Sequence, residues 1–141
     1  MSQKSKNNPV ATFFKLLHLA NEIFISFYLL FLGWTKKYDL YFMIYLLLIV
    51  VHWILLRNEC ISSYFEKKAM DSTYVLGSRP YHHPFYDSFL SPGFILFLNW
   101  MKILTVAIIL LRNLEDPSIV LMSIIVMLLQ ILNYIRKGSM N

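Results

Sequence analysis

His18, Asn21, Glu22 and Ser26 stand at i, i+3, i+4 and i+8. One helical face of the first apolar stretch, Val10–Gly33, therefore carries an imidazole, an amide, a carboxylate and a hydroxyl. That stretch is long enough to cross a bilayer. A carboxylate near the middle of a membrane is costly unless it is paired, protonated or hydrated. The stripe must meet other polar groups, and three chemistries are open to it: an interhelical ion pair, a proton or ion relay, and acid–base work on a bound substrate.

Further along, Lys102 offers the opposite charge, and His52, Asn99 and Gln130 each bring a polar side chain to an apolar segment. A second group, Glu59, Cys60, Glu66, His82, His83 and Asp87, lies between the second and third apolar segments. His52, Glu59, His82, His83 and Asp87 could converge where an amphiphilic lipid or prenyl head group presents itself. Imidazole and carboxylate would then act as a general acid–base pair or as metal ligands. The spacing matches no defined metal site. His82 and His83 are adjacent, which suits one ion poorly, and no H-x-x-x-H or H-E-x-x-H occurs. The pair reads first as part of an interfacial loop, and neither a metal site nor a catalytic set is assigned. His18 and His52 are a conceivable bis-imidazole haem pair, but no cofactor is expected. Cys60 is the single cysteine, which excludes an internal disulfide and C-x-x-C redox chemistry. It reads as a small packed residue, with juxtamembrane palmitoylation as the alternative.

The elements that must position these groups are membrane helices. The 141 residues suit one compact domain, yet only 15% are charged and 57% are hydrophobic, with a mean hydropathy of +0.54. A soluble domain would carry roughly a quarter charged residues, so lipid is the expected solvent. The formal charge of +5 forms no basic stripe, which argues against a nucleic-acid partner. The Val10–Gly33 run is too long for a signal-peptide core and ends in no small-x-small site, so it reads as a retained first span. Three more spans follow, Leu40–Leu56, Gly93–Leu111 and Ser118–Ile135. Cap chemistry precedes each of the four: Asn8-Pro9, Asp39, Ser91-Pro92 and Asp116-Pro117. Trp34, Trp53 and Trp100 fall near span ends, as interfacial anchors do.

Four spans put both termini and the long 57–90 loop on one side. That side holds nine of the Lys and Arg residues against three on the other (Lys36, Lys37 and Arg112), which predicts cytoplasmic termini. The second helix is predicted to run on past the membrane through Lys68, because no Gly or Pro interrupts it. His52, Glu59 and Glu66 recur every seven residues and would mark one face of that extension. Asp71 to Leu90, with Gly77, Pro80, Pro84 and many aromatics, reads as an interfacial loop packed on the helices.

Depth arithmetic then gathers the polar groups. At about 1.5 Å per residue, His18, His52, Asn99 and Gln130 each lie roughly 6–10 Å from the cytoplasmic end of their spans, and Glu22 and Lys102 roughly 14–17 Å. The expected site is an inward-facing polar pocket, with Glu22 and Lys102 paired at its floor and the two histidines near its mouth.

Leu16-Leu17-His18-Leu19-Ala20, followed by Gly33, resembles the opening of a small bacterial family of four-helix membrane proteins known as a domain of unknown function. Members continue with Cys-x-x-Thr-x-x-Glu after the second span, and Cys60 to Glu66, with Ser63 at the Thr position, is similar. Gly77, His82 or His83, and Pro92 echo a later Gly, His and Pro element. Asn21-Glu22, His52-Trp53 and Asn58-Glu59 depart from the pattern. The resemblance implies the fold and a membrane location without an activity, and it singles out His18, Cys60 and Glu66 as shared positions. The Phe-, Tyr-, Ile- and Lys-rich composition is also similar to that of AT-rich genomes such as those of large DNA viruses or their protist hosts.

The overall expectation is an all-α integral membrane four-helix bundle in the lipid bilayer, serving as a scaffold or interaction protein. Homo-oligomers or other membrane proteins are the expected partners. A proton- or ion-coupled transport module is the alternative, and a lipid head-group enzyme or haem-binding protein stands third.

Overall fold

Helix starts follow the local chemistry. The computed structural model describes residues 8–80 and 91–138. Asn8 accepts the Val10 N–H (3.0 Å) ahead of Pro9 and opens α1, Pro9–Ser26. Ser91 accepts the Phe94 N–H (3.2 Å) at the head of the helix Pro92–Arg112. Asp116 accepts from Ser118 (2.9 Å) and Ile119 (3.3 Å) at the head of the helix Pro117–Gly138. Asp39 departs from its predicted role: it is the first residue of its helix, Asp39–Leu55, and its carboxylate turns inward.

The first apolar stretch is not one continuous helix. α1 ends at Ser26, Phe27 leaves helical geometry, and a short α2, Tyr28–Phe31, follows. The cause is interhelical hydrogen bonding. The Thr105 hydroxyl donates to the Ser26 carbonyl (3.2 Å), and the Leu30 N–H bonds the Phe27 carbonyl instead (2.9 Å). The Ser26 hydroxyl donates to the Leu98 carbonyl (3.3 Å). After α2 the chain passes so close to itself at Gly33 that an added Cβ would sit 2.4 Å from Leu29 Cα. A 3₁₀ turn, Lys36–Tyr38, then leads into α3, Asp39–Leu55.

The predicted extension of the second helix does not form. Arg57 and Asn58 both adopt left-handed backbone (φ 55° and 64°), and the Asn58 N–H returns to the Trp53 carbonyl (2.7 Å). Asn tolerates that conformation, whereas Arg adopts it at a cost of about 1–2 kcal/mol. The Arg57 stem is covered by Gly77, where a Cβ would lie 2.8 Å from Arg57 Cβ. The chain reverses into a separate α4, Ile61–Met70. This helix runs antiparallel along the first half of α1: Asn8 donates to the Ala69 carbonyl (2.8 Å), and Phe14 stacks on Phe65 (5.1 Å).

Two long helices complete the array, α5 (Pro92–Arg112) and α6 (Pro117–Gly138), with α6 packed on α3 and α5 packed on both α6 and α1. No strand occurs among the described residues. The apolar core gathers Ile25, Tyr28, Phe42, Met43, Leu46, Val106, Ile109, Ile119 and Val126, with the Tyr28 and Phe42 rings stacked at 3.8 Å. Among the described residues, eleven polar or charged ones are buried beside thirteen apolar ones, so this interior is unusually polar for so hydrophobic a chain. The outward faces carry large apolar side chains, such as Phe13 and Leu17 on α1, Leu48 on α3, Leu104 on α5 and Leu128 on α6.

Of the four predicted spans, two stretches among the described residues are long and apolar enough to cross a membrane, Lys36–Leu55 and Gly93–Arg112. Among the described residues, α6 contributes a shorter apolar stretch, Pro117–Leu132. α1 carries Lys15, His18 and Glu22 and stops at Ser26.

Candidate functional site

Among the described residues, three buried polar clusters are each built on an ion pair. The first joins α1 to α5 and α3. Lys102 and Glu22, predicted as partners from depth and charge, form an ion pair, and the Lys102 ammonium also reaches Asn99 Oδ1 (3.4 Å). One turn apart on α5, Asn99 and Lys102 face α1 together. The Tyr45 hydroxyl donates to Asn21 Oδ1, so the stripe on α1 is shared between two neighbouring helices. His18 is buried on the same helix.

The second cluster closes the opposite end, at the two short connections. Asp39 is wholly buried and accepts a fork of two N–H groups from Arg112, with Nε at 2.7 Å. It also accepts the Asn113 amide (2.6 Å) and the Tyr28 hydroxyl (3.0 Å). Arg112 Nη1 donates to the Gly33 carbonyl (2.6 Å), and the Asn113 amide donates to the Ile109 carbonyl (2.8 Å). Planar guanidinium and carboxylate match in a bidentate pair, the strongest neutralisation available to a buried carboxylate. Above this cluster an exposed pair, Lys36 and Glu115, meets at 2.7 Å. The Lys36 hydrogen bond holds the Glu115 carboxyl below the ordinary carboxylate range.

The third cluster fastens the turn after α4. Glu59 is wholly buried and accepts from the Lys67 ammonium (2.6 Å), the Tyr74 hydroxyl (2.8 Å) and the Gly77 N–H (2.8 Å). Lys67 spends its remaining donors on the Arg79 carbonyl (2.7 Å) and the Tyr74 oxygen (3.4 Å). Beside it, Asp71 accepts from the Thr73 hydroxyl (2.6 Å) and N–H (2.9 Å), which lowers its carboxyl from the ordinary value. Glu66 is buried on α4. Cys60 is half-buried at the start of that helix, with its sulfur 3.5 Å from the Ser62 hydroxyl.

The predicted single pocket is thus divided. Glu22, Asn99 and Lys102 come together. His52 does not join them: its Nε2 accepts the Ile61 N–H (3.0 Å) and so serves α4 as an N-terminal cap supplied from another helix. Gln130 lies apart, lining a groove of about 220 Å³ between α3 and α6 with Val50, Trp53, Ile54, Asn58, Leu129 and Leu132. His52, predicted to share one helix face with Glu59 and Glu66, is separated from them by the reversal at Arg57-Asn58, and Glu59 lies ahead of α4, which carries Glu66. His82, His83 and Asp87 lie outside the described residues. No three His, Cys, Asp or Glu side chains gather as metal ligands among the described residues.

Asp39, Arg112, Asn113, Tyr28, Lys67 and Tyr74 are the cluster residues that sequence reasoning missed. Asp39 and Arg112 carry opposite charges at facing ends of two short connections, and that is the signal by which the second cluster could have been found. No family model, curated protein or solved structure matches this chain.

Proposed function

We propose that the chain is an integral membrane protein, a four-helix bundle of α1–α2, α3, α5 and α6. Both termini and the α3–α5 connection lie in the cytoplasm, and its role is that of a small scaffold or interaction protein. The observation that carries this reading is the inverted distribution of polarity. Asp39, Glu59 and the Glu22–Lys102 pair are neutralised inside the chain, while large apolar side chains cover the outward faces. Only 28% of each of the two long apolar stretches is buried within the chain, which suits contact with lipid better than the core of a soluble domain. The surplus of Lys and Arg on the side of the termini supports the orientation. Outward apolar faces leave room for other copies or other membrane helices as partners.

The polar groups support fastening over transport or catalysis. Lys102, itself also bonded to Asn99, occupies Glu22, which a proton relay would need free to exchange. Haem ligation through His52 Nε2 would cost α4 its cap. Of His18, Cys60 and Glu66, the positions favoured by the resemblance to the bacterial four-helix family, His18 and Glu66 are buried on α1 and α4, which pack on each other, and Cys60 is half-buried. That burial suits a shared structural role.

The test is extraction and topology in one sample. In a Cys60→Ser background, the chain resists alkaline carbonate. A membrane-impermeant maleimide labels Lys37→Cys from outside and labels Ser78→Cys only after permeabilisation. Both positions are exposed. Release by carbonate, or the reverse labelling pattern, would overturn the reading.

A further inference from the structure

The groove between the ends of α3 and α6 differs in kind from the three clusters, because its hydrogen-bonding groups have no partners among the described residues. Trp53 Nε1 is enclosed and has no acceptor. Gln130 is half-buried and Asn58 exposed, and neither side-chain amide bonds another side chain or the backbone among the described residues. Val50, Ile54 and Leu129 supply the apolar wall. A buried donor without an acceptor is unfavourable, so an occupant that supplies one is favoured.

Size and charge narrow the occupant. At about 220 Å³ the groove is smaller than sites that enclose a whole small molecule, and it suits one segment of a longer amphiphile. An indole N–H only donates, so the segment must present an acceptor. None of the lining side chains is ionised, which favours a neutral acceptor over a phosphate or carboxylate. Arg57, the nearest cation in sequence, has its stem held beneath Gly77. Trp53 stands near the C-terminal end of α3, the level at which indole rings meet lipid head groups if α3 spans the bilayer.

We propose that this groove binds the acyl-ester segment of a glycerolipid. The ester carbonyl accepts from the Gln130 amide, and from the Trp53 N–H once the ring tilts toward it, while the first methylenes lie along Val50, Ile54 and Leu129. The site rests on the membrane reading above and gives the proposed scaffold a bound lipid.

The test compares a diester phosphatidylcholine with its diether analogue of equal chain length. Both are offered at equal concentration to the full chain in mild detergent, and retained adducts are read by native mass spectrometry. The ether lacks the carbonyl acceptor but keeps the head group and the hydrocarbon. The wild-type chain is expected to retain the diester over the diether by about five-fold, the worth of one ordinary hydrogen bond. Trp53→Phe or Gln130→Leu should narrow that preference with the helical circular dichroism unchanged. Equal retention of the two lipids by the wild type would overturn the proposal, whatever the variants do. A preference that persists undiminished in both variants would also overturn it, by placing the ester elsewhere. A chain that stays soluble without detergent or lipid would instead fail the membrane reading, and the groove proposal would fall with it. A carbonate-resistant chain with no ester preference fails the groove alone.

Discussion

The two ends of the helical array are each closed by a wholly buried carboxylate, yet they close different things. Asp39 and Arg112 are 73 positions apart, and their pair ties the chain after α2 to the end of α5. Glu59 and Lys67 are 8 positions apart, and their pair ties a turn to the helix that follows it. The chemistry is alike: an ion pair, a tyrosine hydroxyl and further N–H donors around one carboxylate. The consequences differ because sequence separation decides how much of the chain must be in place before the pair can form. The distant pair reports on the whole fold, the near pair on one segment.

The comparison breaks most visibly at Asp39. Replacing it with Ala leaves the Arg112 guanidinium partly buried without its carboxylate, with the Tyr28 hydroxyl deprived of its acceptor and Arg112 and Asn113 left with the Gly33 and Ile109 carbonyls alone. A loss of about 3–5 kcal/mol is expected, the cost of stranding one member of a buried pair. It should appear as a lower midpoint for the entire helical signal in denaturant. Asp39→Ala with an unchanged midpoint would mean that the end is held by apolar packing alone.

Glu22 and Lys102 come next and sharpen the same point from the middle of the array, where 80 positions separate the partners. Glu22→Gln and Lys102→Met should each cost about 3 kcal/mol, and the double variant should recover much of that loss. Additive losses would show that each residue acts through other neighbours. Glu59→Gln should behave differently: the Gly77 amide proton, now bonded to Glu59 Oε2, exchanges faster, while the global midpoint moves little. Smaller again is His52→Ala. It removes the acceptor for the Ile61 N–H and should cost about 1 kcal/mol, concentrated in the first turn of α4. Exchange at Ile61 no faster than in the wild type would exclude the capping role.

What the sequence discloses follows the same division between near and far. Helix starts at Asn8, Ser91 and Asp116 are legible because cap and capped N–H are two or three residues apart. The pairing of Glu22 with Lys102 is legible because rise per residue converts position into depth on straight helices. The role of Asp39 is hidden, since an Asp beside the first residue of a helix looks like a cap and an Arg beside a short connection looks like a topology signal. The reversal at Arg57-Asn58 is hidden for another reason. No Gly or Pro marks it, and it depends on Gly77, which covers Arg57 from twenty positions later in the sequence and becomes a neighbour only after folding. His52 capping Ile61 has the same character: acceptor and donor are nine positions apart across a reversed chain.

The exposed pair above the Asp39 cluster sets the lower bound of the comparison. Lys36 and Glu115 are 79 positions apart, farther than Asp39 and Arg112, but both side chains are more than half exposed. If separation alone governed consequence, Lys36→Met would rival Asp39→Ala. Solvent screening predicts the opposite, because an exposed pair contributes little to stability. The effect should be readable in titration. The Lys36 hydrogen bond depresses the Glu115 carboxyl, so the folded chain takes up that proton less readily than the unfolded chain does. The pair's contribution is complete above the unfolded carboxyl's pKa and is lost as pH falls through the depressed value. In Lys36→Met the Glu115 titration should move up toward the ordinary carboxylate range, as followed by NMR, with the unfolding midpoint at neutral pH nearly unchanged. A neutral-pH midpoint that fell as far as in Asp39→Ala would mean that separation outweighs burial in this fold, and the contrast drawn from the two ends would have to be rebuilt on that basis.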